Sequence, residues 1–308
     1  MDNFYTSSPV AFIIFNRPET TQKVFDVIKK AKPIKLFVIA DGPRKDRSGE
    51  EVACNEVRSL TEQVNWECEV FRNYSSENLG CKSRIVSGLS WVFEKTERAI
   101  ILEDDCLPDL SFFRFCDELL EKYENDEKVR MISGNKVLYN YEPQMNYYFS
   151  RFVRIWGWAT WKRVWKEYDE NISYWTSLRN SDLLPRILKT KAAVNYWNTI
   201  LDEVKSGIID AWSLQLQLDQ FKNNGLTVIP SKNLVINLGF DSADATNTKG
   251  SGGLYQKMKL ESIEFPLKHP DVIKQNLEAD EMEIKLFHKF GFKEKIRRLL
   301  LKFNIELK

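Results

Sequence analysis

Short apolar runs alternate with amphipathic stretches along the first 135 residues. Pro9 to Phe15 is apolar and β-branched and stops at Asn16-Arg17-Pro18, the pattern of a buried strand. Pro18 suits a helix start, and Val24, Val27, Ile28 and Ala31 keep helical spacing until Pro33. Lys35 to Ala40 reads as a second strand, ended by the turn signal Asp41-Gly42-Pro43. Ser48 with Glu51 three residues on has the form of a capping box opening a helix to about Val64. Trp66 to Phe71 alternates as a third strand. Ile85, Val86, Leu89, Val92 and Phe93 then mark one helix face. Ala99 to Leu102 is the fourth strand and runs into Glu103-Asp104-Asp105. Phe112, Phe113, Cys116, Leu119 and Leu120 return to helical spacing, and Arg130 to Ser133 is a fifth strand. Repeated strand–helix units predict an α/β fold with a parallel, doubly wound sheet covered by helices on both faces.

From about Gly134 the pattern changes. Four of the nine tryptophans lie between Trp156 and Trp165. Helical segments are expected over about 182–206 and 210–224, and Leu226 to Ile229 reads as a strand. Gly239 to Gly253 is small and polar, a loop. The stretch from Leu277 reads as one or two helices broken at Gly291. No internal repeat is visible.

Composition narrows the functional classes. Among 308 residues, 45 Lys plus Arg face 44 Asp plus Glu, a balance that argues against nucleic acid as a partner. The two histidines, His269 and His288, both fall near the end of the chain, so a His-centred hydrolase or zinc enzyme is not expected. Five cysteines without a CxxC pair read as reduced thiols of a cytoplasmic protein. Met1 to Ser8 brings no basic segment and the first apolar run is short, so neither a signal peptide nor a membrane span is expected.

The sharpest feature is the apolar run Ile100-Ile101-Leu102 delivering three acids in a row. In an open α/β sheet ligands sit outside the carboxyl ends of the strands, so these acids belong in the crevice. Three adjacent carboxylates repel unless a cation or a set of donors compensates them. A hard divalent ion, Mg²⁺ or Mn²⁺, reaches such sites together with substrate phosphates. Cys106, a soft ligand, suits that cluster poorly. The alternative reading is a strand that ends in a solvated acidic loop. A Walker-type nucleotide hydrolase is not expected, because Gly80-Cys81-Lys82-Ser83 lacks the earlier glycine.

AFIIFNRP, IADGPR, NLGCKSR, IILEDDCLP and IWGWATW together resemble the bacterial nucleotide-diphospho-sugar transferases of the GT-A fold. More distantly the chain is similar to the eukaryotic N-acetylglucosaminyltransferase I family, whose metal motif is also Glu-Asp-Asp. The likeness runs from about residue 9 to about residue 248 in the same order. It implies a GT-A domain over 1–255, with a nucleotide-sugar half (1–134) and an acceptor half (135–255), followed by a C-terminal helical, basic amphipathic extension over 256–308. It implies a metal-dependent, inverting glycosyltransferase that moves a sugar from a UDP donor to a hydroxyl of a growing surface glycan, polysaccharide, oligosaccharide or lipid-linked.

The roles the resemblance implies fall on particular residues. Phe15, Asn16 and Arg17 meet the nucleotide, and Asp41 bonds its pyrimidine ring. Asp105 binds Mn²⁺ or Mg²⁺ directly, with Glu103 and Asp104 against sugar and ribose. Lys82 and Arg84 open a helix facing the diphosphate, or are simply a solvated helix start. The catalytic base is an aspartate beside a tryptophan, matched by Asp210 in Ile209-Asp210-Ala211-Trp212. Relatives show Trp-Asp where this chain has Trp212-Ser213, so Asp202, Glu203 and Asp219 are alternatives, and Asp210 can equally be a helix cap. Trp156, Gly157 and Trp158 shape the acceptor side, or these tryptophans build the core. A histidine of relatives is replaced by Asn247, which would hold the site more loosely. The two competing readings are a nucleotidyltransferase and a degenerate transferase that only binds sugar nucleotides.

The net charge of +1 hides a division, since residues 285–308 carry eight Lys or Arg and two Glu. Phe292, Ile296, Leu299, Leu300, Phe303 and Leu307 share one helical face there. Such a helix suits the anionic inner face of a membrane, as a peripheral contact, or docks on its own domain.

Overall fold

The computed structural model describes residues 5–239 and 258–286. β1 (Val10–Ile14) is buried along its whole length, as a strand covered on both faces must be. Its side chains alternate between two cores. Val10, Phe12 and Ile14 pack with Val24, Phe25 and Ile28 of α1 (Pro18–Ala31). Ala11 and Ile13 pack with Ile85, Leu89 and Val92 of α3 (Cys81–Phe93). β2 (Lys35–Ala40) and β4 (Arg98–Glu103) divide in the same way, so helices lie on both faces of the sheet. With β3 (Glu69–Tyr74) these strands form a parallel half in the order β3-β2-β1-β4. α2 (Glu50–Leu60) and α4 (Ser111–Lys122) join the α1 side through Val57 and a phenylalanine group. The fold class is therefore the expected Rossmann-like α/β arrangement.

The sheet extends beyond this parallel half with strands of both directions. Beyond β4 the order continues β8-β6-β9-β7, eight strands in all. β6 (Val129–Ser133) and β9 (Leu226–Pro230) are parallel to each other. β7 (Tyr147–Ser150) and β8 (Trp158–Trp161) run antiparallel to their neighbours. β8 is thus a strand wedged between β4 and β6, with Trp158 opposite Ile101 on one side and Ser133 on the other. Its four residues are all buried, which is why WATW shows an aromatic-rich pattern rather than a half-exposed alternation. A separate two-stranded antiparallel ladder pairs β5 (Cys106–Pro108) with β10 (Val235–Asn237), segments far apart along the chain.

Other boundaries moved for local reasons. The cap of α2 is Gly49 with φ 80°, so the Ser48–Glu51 box does not form; Glu50 turns inward instead. The third strand starts at Glu69 rather than Trp66, whose indole N–H donates to Pro33 O at 2.9 Å. The helical stretch expected over 182–206 is broken at Lys189, left-handed at φ 60°. This gives α7 (Leu183–Leu188) and α8 (Lys191–Lys205), the second capped by Thr190. With α5 (Lys162–Trp165), α6 (Trp175–Leu178) and α9 (Ser213–Lys222), several of these segments enclose a third core around Trp175, Leu201, Leu218 and Phe221. Helical residues 277–286 lie against β7, where Asp280 accepts from Ser150 Oγ (2.6 Å) and Arg151 N (3.0 Å). Asn247, His288, the break expected at Gly291 and the basic face from Phe292 onward lie outside the described residues.

Gly88 sits where α3 crosses β2, and a Cβ there would stand 2.6 Å from Ile39 Cγ2. Gly88→Ala gains about 1 kcal/mol of helix propensity. Overpacking against a buried, β-branched neighbour costs about 1–3 kcal/mol. Net destabilisation is expected, read as a lower urea midpoint at unchanged m-value.

Candidate functional site

Four strand ends and two loops meet at one edge of the sheet. β1 and β4 are adjacent and parallel, so the chain leaving β1 passes beside Glu103-Asp104-Asp105. Asp104, 7% exposed, accepts from Phe15 N at 2.9 Å and so stitches the two strand ends together. Arg17 caps α1, and its guanidinium turns back to Asp105 Oδ2 at 2.8 Å and lies 3.9 Å from Asp104. From the other side Asn237 Nδ2 donates to Asp105 Oδ1 at 3.2 Å, and Leu238 N donates to Asp105 O. Burial first, and then the neighbouring carboxylates, push Glu103 and Asp104 well above the usual carboxylate range. One arginine is too little positive charge for three acids at such a spacing.

The second wall is built around Asp41 at the end of β2. Its Oδ1 accepts from Gly42 N and Leu79 N (both 2.9 Å), and its Oδ2 from Asn78 Nδ2 and Gly80 N (both 3.1 Å). These bonds fill the carboxylate's acceptor positions and seat the loop before α3. Gly42 is required there, since a Cβ would meet Glu77 backbone at 2.5 Å. Arg84 is also spent inside the wall, on Ala40 O (3.1 Å) and on Asn73 O and Oδ1. The fold thus engages both oxygens of Asp41, and of Arg84 it engages Nε and Nη2, with Nη1 3.5 Å from Ser87 Oγ. Lys82 is half-buried at 3.7 Å from Glu170. Asn16 donates to Glu50, which also holds Arg44; that guanidinium keeps Glu50 below the usual carboxylate range.

Between these walls lies a cleft of ≈ 420 Å³. Phe15, Asn16, Arg17, Asp41, Lys82, Arg84, Glu103, Asp104 and Asp105 all line it, and so do Trp156 and Asp210. Asp210 is exposed and is not a cap: α9 starts after Trp212, without a side-chain cap bond. The alternatives to it do not line the cleft. Asp219 is 2% exposed and bound by Tyr174, and Asp202 holds Trp175 and Arg179. Trp158 does not reach the cleft either; it is 1% exposed and stacked on Trp212 at 5.8 Å. Gly157, with φ 59°, lets the chain turn tightly past Val235 between those two tryptophans.

Sequence reasoning missed Cys81, Asn237 and Gly239, which also line the cleft. Cys81 is exposed, yet its thiol is pushed up to about 12 by the crowding of the cleft walls and by Glu103, Asp210, Asp105 and Asp41. Cys106 is buried beneath Asp105 and its thiol is pushed up by burial. His269 bonds Tyr147 and Glu118 and does not line the cleft.

Among the described residues no group of three or more His, Cys, Asp or Glu side chains is arranged to hold a metal ion. The donor chemistry of the cleft nevertheless fits a hard cation: oxygen ligands, an undercompensated acid cluster, and Asp105 reaching the space from its rim. Such an ion would rest on Asp105 together with substrate phosphates. No helix among the described residues is long and apolar enough to cross a membrane.

No protein-family model matches the chain, and no curated protein does. Among solved structures it is similar to a mannosyltransferase from Pyrobaculum calidifontis in complex with GDP-Man and Mn²⁺, at 11% identity and TM-score 0.38, over 71% of this chain and 69% of that one. It is similar to mouse xyloside xylosyltransferase 1 at 10% identity and TM-score 0.32, over 69% and 81%. A UDP-glucose pyrophosphorylase complexed with UDP-glucose gives 10% and 0.32, over 53% and 81%. At such scores these likenesses decide nothing about the reaction.

Asp41→Asn keeps the side chain's size and removes its charge. Hydrogen bonds to charged groups are worth about 1.5–3 kcal/mol, so amide exchange at Leu79 and Gly80 should quicken by about ten- to a hundredfold. Hydrogen-exchange NMR reads this directly, and unchanged protection would show that the loop is seated by other contacts.

Proposed function

We propose that the protein is a metal-dependent glycosyltransferase, inverting, which transfers a sugar from a nucleotide donor, UDP-linked, to a hydroxyl of a growing glycan. The single observation that carries this reading is that one cleft is lined both by the Glu103-Asp104-Asp105 cluster and by the exposed carboxylate of Asp210, which caps no helix. The cluster would hold the cation that meets a diphosphate, and Asp210 would offer a base to a hydroxyl. That is the division an inverting transfer needs, because the attacking oxygen and the departing diphosphate lie on opposite faces of the sugar.

Arg17 and Lys82 would meet the phosphates, and Glu103 and Asp104 the sugar and ribose. Asp105 would hold Mn²⁺ or Mg²⁺, whose charge, when bound, stabilises the nucleoside diphosphate as it departs. Asp210 takes the proton from the acceptor hydroxyl, and no side chain need protonate the leaving group. Asp41 and Arg84 act through the loop they seat, by fixing where Lys82 stands. The seated loop leaves the nucleotide's ring to be met by Phe15 and by Arg44, which lies over the Phe15 ring. A nucleotidyltransferase would share the acidic cleft, but the turn after β1 is Phe15-Asn16-Arg17-Pro18, held by Asn16 to Glu50, rather than a glycine-rich basic loop. The basic, apolar-faced pattern of the tail supports an acceptor presented at an anionic inner membrane surface.

In thermal-shift assays UDP with Mn²⁺ should raise the melting temperature, since a ligand at a hundred times its Kd adds about 2.7 kcal/mol. Asp105→Ala should remove the Mn²⁺-dependent part of that shift and leave the unliganded melting curve cooperative. Asp210→Asn should lower kcat by about 10²–10⁴-fold. Its donor affinity should stay close to that of the parent, the signature of a group acting in the transition state. Survival of turnover in Asp210→Asn would remove this residue from the chemistry.

A further inference from the structure

A second cavity, ≈ 190 Å³, adjoins the cleft, and Ile155, Trp156 and Ser213 line both. Its chemistry differs from that of the cleft. It presents the indoles of Trp156 and Trp197, the hydroxyl of Ser213, the side-chain amide of Asn135, which donates to Asn233, and the guanidinium of Arg154, while the Gln217 amide is spent on Val153 N and Arg151 O; no carboxylate among the described residues lines it. Indoles offer a flat apolar face to the C–H side of a pyranose, while the Asn135 and Ser213 side chains answer its hydroxyls. The one charged group is already countered. Arg154 is paired with Glu283 of helical residues 277–286, a carboxylate 3% exposed, and its Nη1 donates to Val153 O at 3.0 Å. An anionic ligand would find no uncompensated cation there, whereas a neutral ring meets hydrogen-bonding groups and aromatic surface. The volume suits one ring rather than a chain.

We propose that this second cavity is the acceptor subsite and takes one uncharged pyranose ring, whose reacting hydroxyl passes the shared Trp156–Ser213 wall toward Asp210. The proposal rests on the transferase reading and adds to it the class of acceptor. It also gives the C-terminal extension a part in the site, since Glu283 holds the guanidinium that closes the cavity.

The test uses full-length protein with UDP and Mg²⁺ at pH 8, above the value of about 7 to which burial lifts Glu283, so that the pair is ionised. The probes are the methyl glycosides of glucose, galactose, mannose and N-acetylglucosamine, with methyl glucuronide as the anionic control. Saturation-transfer NMR reads glycoside binding and calorimetry reads UDP. At least one neutral glycoside should bind without displacing UDP, and methyl glucuronide should bind about tenfold more weakly or worse. Trp197→Phe should weaken the neutral glycoside about two- to tenfold, the worth of an aromatic contact. Leu214→Trp, which fills the cavity from a residue that does not line the cleft, should abolish glycoside binding with UDP affinity unchanged. Equal glycoside binding by parent and both variants, preference for the glucuronide, competition with UDP, or no glycoside binding at all would each overturn the proposal. Failure of the parent to bind UDP would instead overturn the transferase reading, and the cavity would then stand or fall on the glycoside data from the same variants.

Discussion

Three consecutive carboxylates at the end of a buried strand are an electrostatic demand that the surrounding structure has to answer. Ile100 to Leu102 are almost wholly buried, so the strand cannot slide to carry Glu103, Asp104 and Asp105 out into water. The answer comes from three places: the Phe15 amide, the Arg17 guanidinium, and Asn237, 132 positions beyond Asp105 in the chain. Each partner is fixed by pairing that has nothing to do with the acids themselves. β1 lies beside β4, α1 begins at Pro18, and β10 zips onto β5. The partial compensation leaves Glu103 and Asp104 disfavouring their charged forms, and a cation brought with a substrate relieves that cost.

The opposite rim is handled by the reverse tactic. Asp41 and Arg84 bond mostly to backbone groups of the fold, and together with Arg58, which donates to Asp41 O and Ser75 O, they tie loop 75–80 to the end of β2. Charged residues at a cleft edge thus divide into those spent on architecture and those left facing the space. Asp210 belongs to the second group, and its exposure follows from α9 starting two residues later than a cap at Asp210 would require.

The antiparallel strand β8 positions the wall between the cleft and the second cavity. By entering the sheet between β4 and β6 it carries Trp156 and Gly157 to the end of β4, with Trp158 locked into the core against Trp212. The wall made by Ile155, Trp156 and Ser213 is then shared by an acidic cleft and a cavity with no carboxylate in its lining. On the proposed reading, the first would hold a charged donor and the second a neutral acceptor.

Much of the parallel half was legible in the sequence, because β1, β2, β4 and the helices α1, α3 and α4 each show an uninterrupted period set by burial on two faces or one. The motif residues at the strand ends were legible too, since strand ends in such sheets point to the crevice whatever the rest of the chain does. Legibility failed where a residue's role depends on a partner far away in sequence. Nothing local says that Asn237 will reach Asp105, that WATW will be a strand rather than a pocket lining, or that Asp41 will be saturated by residues 78–80. Local pattern therefore determined which residues carry charge and which edge of the sheet they occupy. Which of those charges remain free to act was decided only by tertiary packing, because hydrogen-bond capacity is finite and is allotted among neighbours that the fold alone brings together.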